Sequence, residues 1–145
     1  MTPGDLWLRH RTHVAELDDM AIYAALTIDL ATETTLTVQR RAVGPRPQGV
    51  VIDTDLPCRI GDVETTTCVL WSDTAPTEVA VTAPPGRLTI SHVWRSEGTV
   101  HGWTGWSGIR RVEDDEGRWH LVASDGHDDL ADDLDVTITF DPDLA

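Results

Sequence analysis

Short apolar–polar alternations, broken at close intervals by turn residues, constrain this chain more than any other feature. A period of two sends successive side chains to opposite faces of a strand, whereas a helix needs apolar residues three and four apart. Leu134, Val136, Ile138 and Phe140 share one face, and Asp135, Thr137 and Thr139 the other. Leu36-Thr37-Val38-Gln39-Arg40, Glu78-Val79-Ala80-Val81-Thr82 and Leu88-Thr89-Ile90-Ser91-His92 alternate in the same way. Val50-Val51-Ile52 and Cys68-Val69-Leu70-Trp71 are continuously apolar, as strands buried on both faces would be. Trp119-His120-Leu121-Val122-Ala123 follows a turn in which Gly117 supplies the positive φ of a hairpin. Residues 20–30 fit a helix or a strand by spacing; β-branched Thr27 and Ile28 favour strand.

Gly44-Pro45-Arg46-Pro47, Pro57, Pro76 and Pro84-Pro85-Gly86 supply the breaks. Many short strands with regular turns predict an all-β fold, a two-sheet antiparallel sandwich or jelly roll, formed as a single domain over residues 1–145. No apolar run approaches the ~18 residues that span a bilayer, and the first residues lack the pattern of a signal peptide. A cytoplasmic protein without membrane contact is the expectation.

Charge is unevenly placed. The chain has 25 acidic residues against 11 basic ones, all arginine, and a net charge of −14. Residues 113–145 carry twelve of the acids against Arg118 alone, a net charge of −11. Such a field repels nucleic acid and anionic lipid and speeds encounter with basic partners. Solubility is the competing explanation.

Motifs for chemistry are sparse. His10 and His13 are three apart, but the stretch reads as a strand, which puts them on opposite faces, and no HExxH pattern is present. No serine sits in G-x-S-x-G, and no Walker or G-x-G-x-x-G pattern appears. No catalytic residue, metal site or cofactor is expected. Gly61-Asp62 reads as a two-residue hairpin turn, a register that sets Cys58 opposite Thr65 instead of Cys68, so two reduced thiols are expected.

Two surfaces compete for a binding role. His120 and His127 cluster with Asp125, Asp128 and Asp129 without the residue order of a calcium-binding EF-hand, so an acidic loop is the favoured reading and incidental cation binding the second. The other is Gly102-Trp103-Thr104-Gly105-Trp106-Ser107-Gly108, followed by Arg110 and Arg111. Glycines this dense suggest a loop or bulged edge, and Trp with Arg is enriched at binding hot spots. One indole is expected to be buried and the other partly exposed. The candidate binding residues are therefore Trp103, Trp106, Arg110, Asp125, Asp128, Asp129, Asp132 and Asp133.

Thr67-Cys68-Val69-Leu70-Trp71, a loop with Pro76, Glu78-Val79-Ala80-Val81, Pro84-Pro85 and a strand to Trp94 follow one another in a recognisable layout. Gly117-Arg118-Trp119-His120-Leu121-Val122 then leads to the acidic loop and a final strand to Phe140. This layout resembles the ComJ-like proteins, small β-rich proteins that include inhibitors of secreted nucleases. Trp119 stands where that family commonly has Tyr, and Ser124-Asp125 replaces a basic element. The resemblance implies a β-sandwich with an inhibitory, protein-binding role and transfers no functional residue.

The leading expectation is a non-enzymatic protein of inhibitor or immunity type that engages a basic protein partner, such as a nuclease or toxin, through its acidic C-terminal region. A structural or assembly subunit that forms homo-oligomers is the alternative. A carbohydrate-binding domain or enzyme with a pocket of His101, Trp103 and Trp106 is the third.

Overall fold

Extended chain dominates the computed structural model, in which residues 2–4, 6, 14–17, 20–43, 46–74, 76–102, 107–115, 117–125 and 133–141 are described. Among them run twelve strands: β1 (Val14–Leu17), β2 (Met20–Tyr23), β3 (Ala25–Leu30), β4 (Thr34–Ala42), β5 (Gln48–Ile60), β6 (Val63–Trp71), β7 (Glu78–Ala83), β8 (Gly86–Ser96), β9 (Thr99–His101), β10 (Ser107–Asp115), β11 (Arg118–Asp125) and β12 (Leu134–Asp141). They hydrogen-bond as one antiparallel sheet in the order β1-β2-β10-β11-β12-β4-β7-β5-β8-β3, with β6 beside β5 and β9 beside β8.

The sheet curls into a half barrel, and two features of the chain force the curl. Residues 20–30 are strand, but Ala24 divides them into β2, next to β10, and β3, next to β8. These strands lie near opposite ends of the order, yet one residue, spanning a few ångströms, joins them. The ends of the sheet must therefore approach one another. The second feature is the thirteen-residue β5. Its first half lies between β6 and β8; after a register shift between Asp53 and Cys58 it also meets β7, where Arg59 pairs with Thr82. A bulge of this kind bends a strand and increases its twist.

The alternation read from sequence decides which side chains enter the concave face. Leu36 and Val38 of β4, Leu88 and Ile90 of β8, and Val136 and Ile138 of β12 are all buried. Val50, Ile90 and His92 on one limb of the curl face Ile109, Leu121 and Val136 on the other. A separate small cluster joins Ala15, Ile22 and Ala24 to Leu6. Strand β6 departs from the expectation that both its faces are covered. Among the described residues it pairs with β5 alone, and Val69 on the outer face stays exposed while Leu70 is buried.

Turn chemistry sets the registers. Gly61, at φ 58°, opens the two-residue turn that pairs Ile60 with Val63. Cys58 consequently pairs with Thr65, Cys68 pairs with Ile52 beyond the register shift, and both thiols are free. The buried Cys58 Sγ donates to the Thr65 carbonyl at 3.1 Å. Burial, and then the neighbouring Cys58, push the Cys68 thiol up to about 11. Gly117, at φ 70°, does for the Asp115–Arg118 turn what Gly61 does for the first.

Gly49 is constrained by packing. A Cβ there would lie 2.8 Å from Val69 Cγ1, 3.0 Å from Trp71 Cε3 and 3.1 Å from Val93 Cγ2. Three side chains on the outer face thus close over a bare backbone. Overpacking of this kind costs roughly 1–3 kcal/mol. Gly49→Ala is expected to fall in that range by urea denaturation; unchanged stability would mean that Val69 and Val93 move aside freely.

Candidate functional site

A chain of buried polar groups occupies the end of the sheet where β5 begins. On β8 the inward positions run Leu88, Ile90, His92, Trp94, so the alternation that buries leucine and isoleucine also buries an imidazole. Gln48 pairs in register with Trp94, and Trp94 pairs in turn with His101. Buried polar side chains must find partners, because desolvating them otherwise costs several kcal/mol.

Gln48, with no exposed surface, is the hub. Its amide nitrogen donates to Asp125 Oδ2 at 3.1 Å and to the Arg46 carbonyl at 3.3 Å. Its Oε1 lies 2.6 Å from His92 Nε2. Since an amide oxygen only accepts, Nε2 of His92 carries the proton and the ring is the Nε2–H tautomer. The backbone of Gln48 is held as well: its N–H donates to Ser72 Oγ at 3.0 Å, and its carbonyl accepts from Ser72 N–H at 2.7 Å.

Asp125 closes the β11 end of the chain. Its side chain is wholly buried and accepts from Arg46 Nη1 at 3.0 Å as well as from Gln48. Its backbone N–H donates to Asp133 Oδ2 at 2.9 Å. Asp133 in turn donates its own N–H to the Ala123 carbonyl, and its carbonyl accepts from Val43 N–H, both at 2.9 Å. Burial first, and then the charge of Asp125, push the Asp133 carboxyl up; the Asp125 N–H and Arg46 pull it down. Burial also lowers His92 to about 4, against a smaller upward pull from Asp125, so this imidazole is neutral at pH 7.

Aromatic rings continue the row outward. His92 stacks on Trp94 at 5.8 Å between centroids, and Trp94 stacks on His101 at 5.6 Å. Beside them Arg95 lies over the Trp71 ring at 4.4 Å and pairs with Asp73. A Cβ on Gly102 would approach the His92 carbonyl to 3.1 Å, so the chain leaving β9 passes tightly over this row.

The expected binding residues divide three ways. Asp125 and Asp133 are buried and committed to the network, so in the free chain their carboxylates face inward and not toward a partner. Arg110 lies in β10 opposite Val122, partly exposed. Trp103, Trp106, Asp128, Asp129 and Asp132 lie outside the described residues. Their flanks are nonetheless placed. Residues 103–106 leave from Gly102 and return at Ser107, which pairs with Asp125; residues 126–132 leave from Asp125 and return at Asp133. The two segments that compete in the sequence therefore spring from one end of the sheet.

Arg46, Gln48, Ser72 and His92 escaped sequence reasoning because they are far apart in the chain and form no motif. One signal was present: a histidine at an inward position of the 88–94 alternation.

No protein-family profile matches the chain, and no curated protein matches it.

Proposed function

We propose that this chain is a non-enzymatic binding protein of inhibitor or immunity type, working from the end of the sheet anchored by the Arg46–Gln48–His92–Asp125–Asp133 network. The observation that carries the proposal is the pairing of Ser107 with Asp125, which sets the described flanks of both candidate segments on adjacent strands at the buried polar network. Rigid support of this kind lowers the entropy that a contact surface loses on binding. Residues 126–132 carry three acids, Asp128, Asp129 and Asp132, and residues 103–106 carry two indoles, Trp103 and Trp106. Such a surface suits a basic protein groove, for instance that of a nuclease, where carboxylates take the arginine and lysine contacts otherwise made to phosphate. In this reading the two limbs of the curled sheet are the layers of a sandwich, as the likeness to ComJ-like proteins implies.

Charge steering makes association fast and salt-sensitive. With a captured basic partner, Asp128→Asn/Asp129→Asn/Asp132→Asn is expected to slow association about tenfold at low salt, and Trp103→Ala/Trp106→Ala to speed dissociation. Surface plasmon resonance at two salt concentrations reads both. Capture that ignores salt and both sets of substitutions would sink the reading.

Assembly has an observation of its own. Among the described residues β6 pairs with β5 alone, and it carries exposed Val63 and Val69. The Thr65 hydroxyl, however, donates to the Thr67 carbonyl at 2.7 Å and accepts from Thr67 N–H at 3.2 Å. It thereby occupies backbone groups that a second strand would need, which favours the binding-protein reading.

A further inference from the structure

On the outer face of β4, β11 and β12, registers bring together side chains remote in sequence. His120 pairs with Thr137, which pairs with Gln39, and one step along Asp135 pairs with Arg41. With Thr77 and Arg40, whose side chain points to the buried side of β4, these residues line a groove of about 440 Å³. Small-molecule sites commonly occupy roughly 300–1,000 Å³.

Arg40 is the unusual member. It is 4% exposed, and its guanidinium donates to the carbonyls of Trp71, at 2.6 Å, and of Pro76. Its Nε is buried with no acceptor. No carboxylate forms an ion pair with it among the described residues, although the chain has more than twice as many acids as bases. Carbonyl dipoles solvate a buried cation but leave its charge uncancelled, and such charges are ordinarily paired. Arg41 adds a second guanidinium, bonded to Asp135 at 2.9 Å and largely exposed. His120, Gln39, Thr77 and Thr137 add polar groups able to donate hydrogen bonds.

We propose that this groove is an oxyanion site, taking a phosphate or carboxylate group through Arg41 and His120, with buried Arg40 as the fixed positive charge behind them. Asp135 is its built-in competitor, because it occupies Arg41 when the groove is empty. The site lies on β4, β11 and β12, and its existence does not depend on the partner-binding reading.

The test uses the intact chain with inorganic phosphate and, separately, acetate, each against sodium chloride at matched ionic strength and pH 7. Millimolar phosphate is expected to raise the melting temperature by a few degrees and to move the His120 ring resonances in NMR. Acetate binding more tightly than phosphate would assign the group as a carboxylate, and the reverse as a phosphate. Arg41→Gln should weaken binding about tenfold by removing a charge-assisted contact, whereas Asp135→Asn should tighten it several-fold by freeing Arg41. Both residues are partly exposed or more, so both variants should fold. Melting that follows ionic strength alone, or phosphate affinity indifferent to both substitutions, would overturn the proposal.

Discussion

Gln48→Leu is expected to destabilise the protein by about 3–5 kcal/mol, the cost typical of leaving buried charged and polar partners unmatched. Leucine nearly conserves volume, so the loss is polar and not a cavity. Asp125 Oδ2 keeps only Arg46 of these two side-chain donors, and His92 Nε2–H loses its acceptor, both where water is excluded. For a chain of this length the melting temperature should drop by roughly 10 °C. Gln48→Glu sharpens the test. It places a second carboxylate against Asp125, so it should be worse at neutral pH and recover in part on acidification. A loss below about 1 kcal/mol for Gln48→Leu would show that the network carries little of the fold's stability. Because Ser107 and Asp133 border the same network, the leucine variant should also impair partner binding beyond its effect on stability.

Stability should also fall steeply in mild acid. His92 has an ordinary value of 6.5 and is held at about 4 by burial. Between those limits the unfolded chain binds a proton that the folded chain refuses, so stability is fully present above pH 6.5 and is lost as pH drops toward 4. The interval corresponds to about 3 kcal/mol. Asp133 acts in the opposite sense. Its carboxyl is held above the usual range, so the folded chain takes up that proton first and acid relieves its repulsion with Asp125. The part of the slope that belongs to His92 is the part that His92→Gln removes. Urea midpoints measured across this range should show that slope in the parent chain and lose it in His92→Gln, whose amide donates to Gln48 without titrating. A flat profile in the parent would contradict the neutral, buried assignment of His92.

Legibility followed the range of the physics. Strand identity in β4, β7, β8 and β12 depends on neighbours two residues apart, and the alternation of Leu36, Val38, Val136 and Ile138 declared it. The register of β5 with β6 next to their turn depends on two residues, so the pairing of Cys58 with Thr65 was also readable. Covering of β6 depends on what lies beside it, and its apolar run misled because an edge strand leaves Val69 in water. Asp125 and Asp133 looked like exposed acids because aspartate usually is exposed. A guanidinium 79 residues away and an amide 77 residues away help to offset the burial of Asp125.

The same division holds for charge. Alternation, turns and charge order in the sequence already pointed to an acidic, all-β chain whose negative charge is concentrated in residues 113–145. They could not show that the outer face of the strands in that stretch brings His120 and Arg41 to one groove, with a buried Arg40 behind it. Periodicity and turns are local, so the residues themselves determine them. Which β-strands lie side by side is decided by the curl that the single residue Ala24 and the bend of β5 impose, and the polar network and the groove exist only once those strands have met.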